Sequence, residues 1–331
     1  MNDKDKNFSG RLNRRQFLRR SLAAGTVLAG GSAWAATDTE SGPLPMRTLG
    51  RTGEKVTILG LGTAPIGEGP VKKKEAVKIF GEVMDRGVNY IDTARIYGNA
   101  EEALGELVQK RRDDLFLVTK VWTDSADRAE KILTKSLRIL NTDYVDLCHI
   151  HHVGGKNVDK VLSKDGVLPY LLKQKETGKI RFIGVSGHCR PDRFVRVIKT
   201  GEIDVVMPVM NYADRNTYDF ESKVLPECRK RNLGVVAMKV YAGIKGGFPN
   251  HSKGYVGCAT PKEKLEEAMA YALDLPGVHV ANIGPYTVEQ GIENVKFARN
   301  YTPLTDKQKA QLLAYGKELA PKLGPRYGPV S

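Results

Sequence analysis

Cysteine and tryptophan are scarce in this chain, and long apolar runs are missing. The 331 residues contain four cysteines, Cys148, Cys189, Cys228 and Cys258, and no CxxC pair. That excludes a zinc ribbon, a cysteine-ligated iron–sulfur cluster and a thioredoxin-type dithiol. Cys148 lies in an apolar stretch, where a small buried thiol is the plain reading. An oxidising compartment would permit a disulfide, but the spacing selects no pair. No segment approaches the ~18–20 apolar residues that span a bilayer. No nucleic-acid motif and no basic low-complexity tail occurs in the body, so no nucleic-acid partner is expected. Acidic residues are also outnumbered, 38 Asp and Glu against 52 Lys and Arg, for a formal charge of +14. Residues 1–35 supply +5 of this, leaving 45 basic against 36 acidic residues, or +9. Such a surplus favours anionic ligands.

What is present begins with a leader. Asn13-Arg14-Arg15-Gln16-Phe17-Leu18-Arg19-Arg20 resembles the twin-arginine export consensus. A weakly apolar Ser21–Trp34 run follows, then Ala33-Trp34-Ala35, which has the small-x-small form of a cleavage site. Residues 1–35 are read as a twin-arginine (Tat) signal peptide, 36–45 as a linker and 46–331 as one domain. The expectation is a periplasmic or secreted protein that meets the Tat translocase during export. The competing reading is a basic tail on a cytoplasmic protein.

The body alternates strand and helix patterns. Arg47–Leu49 and Val56–Ile58, separated by a Gly-Arg-Thr-Gly stretch, read as a hairpin. Strands are expected near 59–62, 88–92, 115–120, 145–151, 181–186, 204–209, 234–239 and 279–283. Helices are expected near 74–86, 101–110, 127–140, 166–177, 191–199, 219–231, 261–273 and 287–299, with a further one at 305–321. Short apolar strands such as Phe116-Leu117-Val118 and Val235-Val236 suit a sheet covered on both faces. Eight such units predict an α/β fold, a single (β/α)8 TIM barrel with an N-terminal hairpin and an extra C-terminal helix. The rival is a doubly wound Rossmann sheet. Gly60-Leu61-Gly62 supplies only part of that fingerprint, and Gly67, Gly69 and Pro70 interrupt any helix opening there. Gly178, Gly201 and Gly234 are expected to end helical runs at positive φ.

Three strand ends carry chemistry. The stretch Ile91–Gly98, IDTARIYG, places Asp92 at a strand terminus and Tyr97 five residues later. LFLVTKVW (115–122) ends its strand at Lys120, and YVDLCHIHH (144–152) ends its strand at His151. Asp92 alone would pass for a helix N-cap. In this order and at these intervals, the three stretches resemble the aldo-keto reductase family over about Met46 to Asn300. The resemblance implies catalysis by Asp92, Tyr97, Lys120 and His151. A phenol has an ordinary pKa near ~10. Lys120, held by Asp92, is expected to favour the phenolate and lower that value, while His151 orients the carbonyl oxygen. Trp122 shares a strand face with Lys120 and is expected to wall a substrate pocket with His152.

The resemblance also implies a dinucleotide. Gly62 and Thr63 would border it, Ser186 would contact the carboxamide, and Asn211 would be a second carboxamide partner. Met238 would cover the nicotinamide, with Lys239 beside it. Gly284, Gln290 and Asn294 would form the phosphate and adenine site. The chain departs from the family pattern at Gly187, Met207 and Met238, where Asn, Gln and an aromatic residue are usual. NADP(H) is favoured over NAD(H), although Tyr286 stands where many NADP-specific members carry Arg or Lys. The Gly-rich stretch 241–260, with Lys245, His251 and Lys253, is a candidate flap.

Two other readings remain. His149 and His151 at i and i+2 could ligate zinc in a metal-dependent hydrolase, with His188 and Asp92 as further ligands. That leaves Tyr97 and Lys120 without roles. Alternatively, the barrel is a non-catalytic, cofactor-bound sensor or partner subunit. The reading adopted is an exported, monomeric NAD(P)H-dependent oxidoreductase that interconverts a small-molecule carbonyl and alcohol, without a metal.

Overall fold

The computed structural model describes residues 42–69, 71–244 and 257–331. The leader and most of the candidate flap fall outside these residues. Strands β1 (Met46–Thr48) and β2 (Lys55–Thr57) pair antiparallel as the expected hairpin. Eight parallel strands then close a barrel: β3 (Leu59–Gly62), β4 (Tyr90–Asp92), β5 (Phe116–Val121), β6 (Val145–Ile150), β7 (Ile180–Gly187), β8 (Val205–Pro208), β9 (Gly234–Met238) and β10 (Val280–Ile283). β10 returns to pair with β3, so the barrel itself has no open strand edge. The segment joining β1 and β2 docks below the barrel. Leu49 is fully buried, and the Arg51 N–H donates to the Asn232 carbonyl at 2.5 Å, just before β9.

The strand registers fix what fills the barrel. In an eight-stranded barrel of shear about 8, side chains from alternate strands share a layer. Following the pairings, one layer holds Asp92, His149, Met207 and Asn282. The layer above holds Gly62, Lys120, Ser186 and Met238, and the layer below holds Gly60, Val118, Gly184 and Val236. Two glycines thin that lower layer where larger neighbours need room. A Cβ on Gly184 would lie 2.3 Å from His149 Nδ1, and one on Gly60 would lie 2.8 Å from the Tyr90 ring.

Most helices fall where the sequence pattern puts them, including the last, Asp306–Leu323, which opens on a Thr305/Gln308 capping box. The segment expected as one helix over 219–231 divides into Phe220–Lys223 and Leu225–Lys230. Pro226, at the start of the second piece, cannot donate to the preceding turn. Gly178 and Gly201 do take positive φ, but Gly234 does not. It opens β9, and Asn232 supplies the left-handed residue two positions earlier. Despite Gly67, residues 64–68 form a short helix, Ala64–Glu68, with a proline in its first turn.

Candidate active site

The C-terminal ends of the strands deliver the expected set to one place. β4 ends at Asp92, and the chain turns through Thr93–Asn99, with the Tyr97 N–H donating to Ala94 O at 2.9 Å. Helix Ala64–Glu68 presses directly on this turn. A Cβ on Gly67 would lie 2.0 Å from the Tyr97 carbonyl oxygen, and one on Gly98 would lie 1.9 Å from that of Gly67. Only glycine permits both contacts, and Gly98 also holds φ +46. From below, Arg95 donates to buried Glu101 at 2.8 Å and to the Gly98 carbonyl at 3.0 Å. Glu101 also accepts from Thr119 on β5 at 2.9 Å.

Lys120 and Asp92 form a buried ion pair, Nζ to Oδ1 at 2.6 Å, with side chains only 1% and 3% exposed. The ammonium also donates to the Thr93 carbonyl at 2.8 Å. It stands 4.8 Å from the centre of the Tyr97 ring. His151 meets the same ring edge-on at 5.7 Å. The second Asp92 oxygen accepts from Asn282 Nδ2 at 3.1 Å, a partner the sequence reading missed. No local motif marks Asn282, since it lies 190 residues from Asp92 and meets it only because β10 closes the ring.

Burial governs the ionisation of this group. It raises the Asp92 carboxyl and lowers the Lys120 ammonium, each against the pull of the other. Tyr97 departs from the expectation. Its phenol is pushed well above the ordinary value by burial, and then by the Asp92 and Glu68 carboxylates. The Lys120 charge is held on Asp92 and does not offset this. His151 is driven well below the ordinary histidine range by burial and by Lys120, so its ring is neutral. A neutral imidazole presents one N–H donor and one acceptor.

Beside Tyr97 opens a cavity of about 430 Å³, lined along its length by Gly62, Met238, Lys239, Gly284, Gln290 and Asn294. Six of the nine residues expected to hold a dinucleotide therefore line one cleft. Gly284 sits against Pro65 and the Gly62 carbonyl, where a Cβ would come within 2.6 Å of the proline ring. Gln290 accepts from the Tyr286 N–H at 2.8 Å, and Asn294 accepts from the Tyr241 hydroxyl at 2.7 Å. Lys239, at φ +57, has its ammonium lowered to about 8 by burial.

The other three differ. Ser186 is buried, its Oγ has no partner among the described residues, and it shares the Lys120 layer. An orphaned hydroxyl there suits an incoming amide. Thr63 directs its hydroxyl to the Asp92 carbonyl at 3.0 Å and so secures β4 rather than lining the cleft. Asn211 has no capacity left for a carboxamide. Its Nδ2 donates to Asp214 and Lys239 O, and its Oδ1 accepts from the Ala213 and Asp214 N–H groups. The asparagine caps its own turn.

On the far side of Tyr97, Trp122 lies edge-on to His151 at 4.8 Å and stacks on His152 at 5.2 Å. His188 also lines the cleft and brings its Nδ1 to 3.4 Å from that of His152. The C-terminal tail reaches this rim: Tyr327 is buried, 5.4 Å ring to ring from His188. His149 does not join His151 at the mouth. It sits a layer deeper, with its ring over Gly184. Among the described residues no group of His, Cys, Asp and Glu is arranged to hold a metal ion. The four cysteines are free thiols.

The sequence pattern of the aldo/keto reductase family matches residues 58–254. L-galactose dehydrogenase of Arabidopsis thaliana is 32% identical, over 76% of this chain and 87% of its own. An NADPH-dependent codeinone reductase of Papaver somniferum is 31% identical, over 62% of this chain and 68% of its own. Among solved structures, the holo form of aldo-keto reductase AKR11C1 from Bacillus halodurans superposes with a TM-score of 0.67 at 26% identity, covering 82% of this chain and 96% of that one.

Proposed function

The chain belongs to the aldo/keto reductase family, and from that premise we propose that it reduces a small carbonyl compound with NADPH, Tyr97 supplying the proton, after export through the twin-arginine pathway. The observation that carries the reading is the group around Tyr97: the Lys120–Asp92 pair at 2.6 Å, the ammonium 4.8 Å from the phenol ring, and neutral His151 at its edge. A nicotinamide cofactor, when bound, would supply the hydride to the carbonyl carbon. The chain's residues do the rest. Tyr97 donates its hydroxyl proton to the carbonyl oxygen as that oxygen gains charge. His151 offers an N–H to the same oxygen and so fixes which face is presented. The Lys120 ammonium stands 4.8 Å from the centre of the phenol ring and is held there by Asp92, itself clamped by Asn282.

The cleft suits an extended dinucleotide. Ser186 can pair with a carboxamide, and Met207 and Met238 offer an apolar cover. The N-terminus of helix Val288–Arg299 gives N–H groups to a phosphate. For NADPH over NADH, the support is family habit and Lys262, which lies on the cleft rim with its ammonium 4.0 Å from Glu293. Support for export is the leader alone: a twin arginine, a weakly apolar run and a small-x-small site in that order.

Titration of the mature protein with NADPH and NADH, followed by fluorescence, tests the cofactor. Micromolar binding of NADPH is expected; binding of neither would sink the reading. Replacing Arg14 and Arg15 by lysine, which lacks the planar guanidinium, should hold active protein in the cytoplasm. Normal periplasmic recovery of that variant would refute export by this route.

A further inference from the structure

The rim beyond Tyr97 is aromatic and basic. β5 ends at Val121, followed by Trp122, whose surface is 42% exposed. β6 leads into His152, which takes a left-handed φ of +58 so that the chain doubles back through Val153–Gly155. Gly155 is required for that fold: a Cβ there would lie 2.4 Å from the His152 ring. The reversal brings Lys156 over Trp122, with Nζ 4.6 Å from the ring centre. Across from these, β7 delivers His188 against His152.

The charges on this rim are unequal in their commitments. Arg190 donates to Gly154 O at 3.3 Å and to Ser331 O at 3.4 Å. Arg193 donates to Gly154 O and Lys156 O. The carboxylate that acts on Lys156 is Asp124, which is already paired with Lys160 at 3.0 Å. Lys156 is half-buried, and among the described residues its ammonium has neither a hydrogen bond nor an ion pair, only the face of Trp122. A partly desolvated cation without a counter-ion is costly, and the cost falls when an anion arrives. Burial indeed lowers the Lys156 ammonium.

We propose that the substrate carries an anionic group, a carboxylate or a phosphate, a few atoms from its carbonyl, and that this group seats against Lys156, His152 and His188 beside Trp122. The inference rests on the carbonyl-reductase reading and adds the charge of the substrate to it. The carbonyl at Tyr97 and the anion at Lys156 would lie on either side of His151, whose ring meets both Tyr97 and Trp122. A hydrogen-bonded charge pair at such a half-buried site is worth about 1.5–3 kcal/mol, or roughly a tenfold to hundredfold preference.

Matched substrates test this: succinic semialdehyde against butanal for a carboxylate, and glyceraldehyde 3-phosphate against glyceraldehyde for a phosphate. The charged member of at least one pair should have a kcat/KM about tenfold higher or more, and added salt should erode the preference. Lys156→Met should collapse the ratio toward one, and Lys156→Arg should restore it. If Lys156→Met fails to fold, the arginine variant and the salt series still decide. A second readout needs no turnover. Trp122 and Trp34 are the chain's two tryptophans, and Trp34 lies in the leader, so quenching of mature protein by succinate or phosphate reports this rim. Efficient reduction of neutral aldehydes with no charge preference would overturn the inference and leave the reductase intact. Anion quenching without turnover of any carbonyl would support the site and sink the reductase reading. Absence of both quenching and charge preference would overturn the proposal.

Discussion

Replacing Lys120 by methionine removes a charge buried in the barrel. The ion pair with Asp92 is 2.6 Å long and all but closed to water. Methionine keeps most of the volume and removes the charge, which leaves the Asp92 carboxylate with one donor, Asn282. Breaking one side of a buried pair costs about 3–5 kcal/mol, because the remaining charge is stranded. For a domain of this size that is a fall in Tm on the order of ten degrees. The loss should depend on pH with a definite sign. Without the ammonium, burial pushes the Asp92 carboxyl further up. A carboxyl raised in the folded state loses folding stability as pH climbs past its unfolded value of ~3.9. The variant should therefore be closest to wild type near pH 4 and furthest near neutrality. Adding Asp92→Asn removes the stranded charge, so the double variant should recover much of the lost stability and none of the activity. Thermal unfolding followed by circular dichroism at about pH 4.5 and 7.5 on the four proteins completes the cycle. A double variant no more stable than Lys120→Met, or a single variant within ~1 kcal/mol of wild type, would refute the stranded-charge argument.

Tyr97→Phe should lower kcat for carbonyl reduction by about 10²–10⁴ while NADPH affinity changes little; a parallel loss of cofactor binding would show that the phenol serves the fold instead. With the phenol held well above its ordinary value, the base form is rare at neutral pH, so alcohol oxidation should accelerate as pH rises to about 9, whereas a plateau by about pH 7 would contradict the assignment. With His151 neutral, the reduction profile should show no limb near ~6.5 from that residue, and a limb that disappears in His151→Gln would disprove it. Gly184→Ala should destabilise by about 1–3 kcal/mol through collision with His149. His149→Ala in the same chain should relieve the collision, and equal stability of both proteins by urea unfolding would dismiss that contact.

Much of this site was legible because strand ends announce themselves. IDTARIYG, LFLVTKVW and YVDLCHIHH each join an apolar, strand-forming run to a polar terminus, and their order sets their neighbours. What stayed hidden depends on residues far apart in the chain. Asn282 carries no local sign that it will meet Asp92. Glu101, on a surface-looking helical run, is buried because Arg95 and Thr119 converge on it. Asn211 shows the opposite difficulty: an asparagine that caps a turn and one that binds an amide look alike in sequence. The helix at Ala64–Glu68 was missed because Gly67, Gly69 and Pro70 in so short a stretch normally break helices, and here Gly67 admits the Tyr97 turn. The rise in the Tyr97 pKa also escaped notice, since the sequence reveals that Lys120 and Asp92 are near but not how far burial closes over the phenol.

Closure of the ring by β10 against β3 makes activity a certificate of completed synthesis. A chain that stops short of Val280 already carries Asp92, Tyr97, Lys120 and His151, yet β3 and β9 would be left as bare edges, and Asp92 would lack Asn282. Pairings that span more than two hundred residues form late and slowly. The last strand thus acts as an inspector: truncated and half-folded copies hold every reactive group and can still be silent. Their two unpaired edges also make them the copies most prone to aggregate.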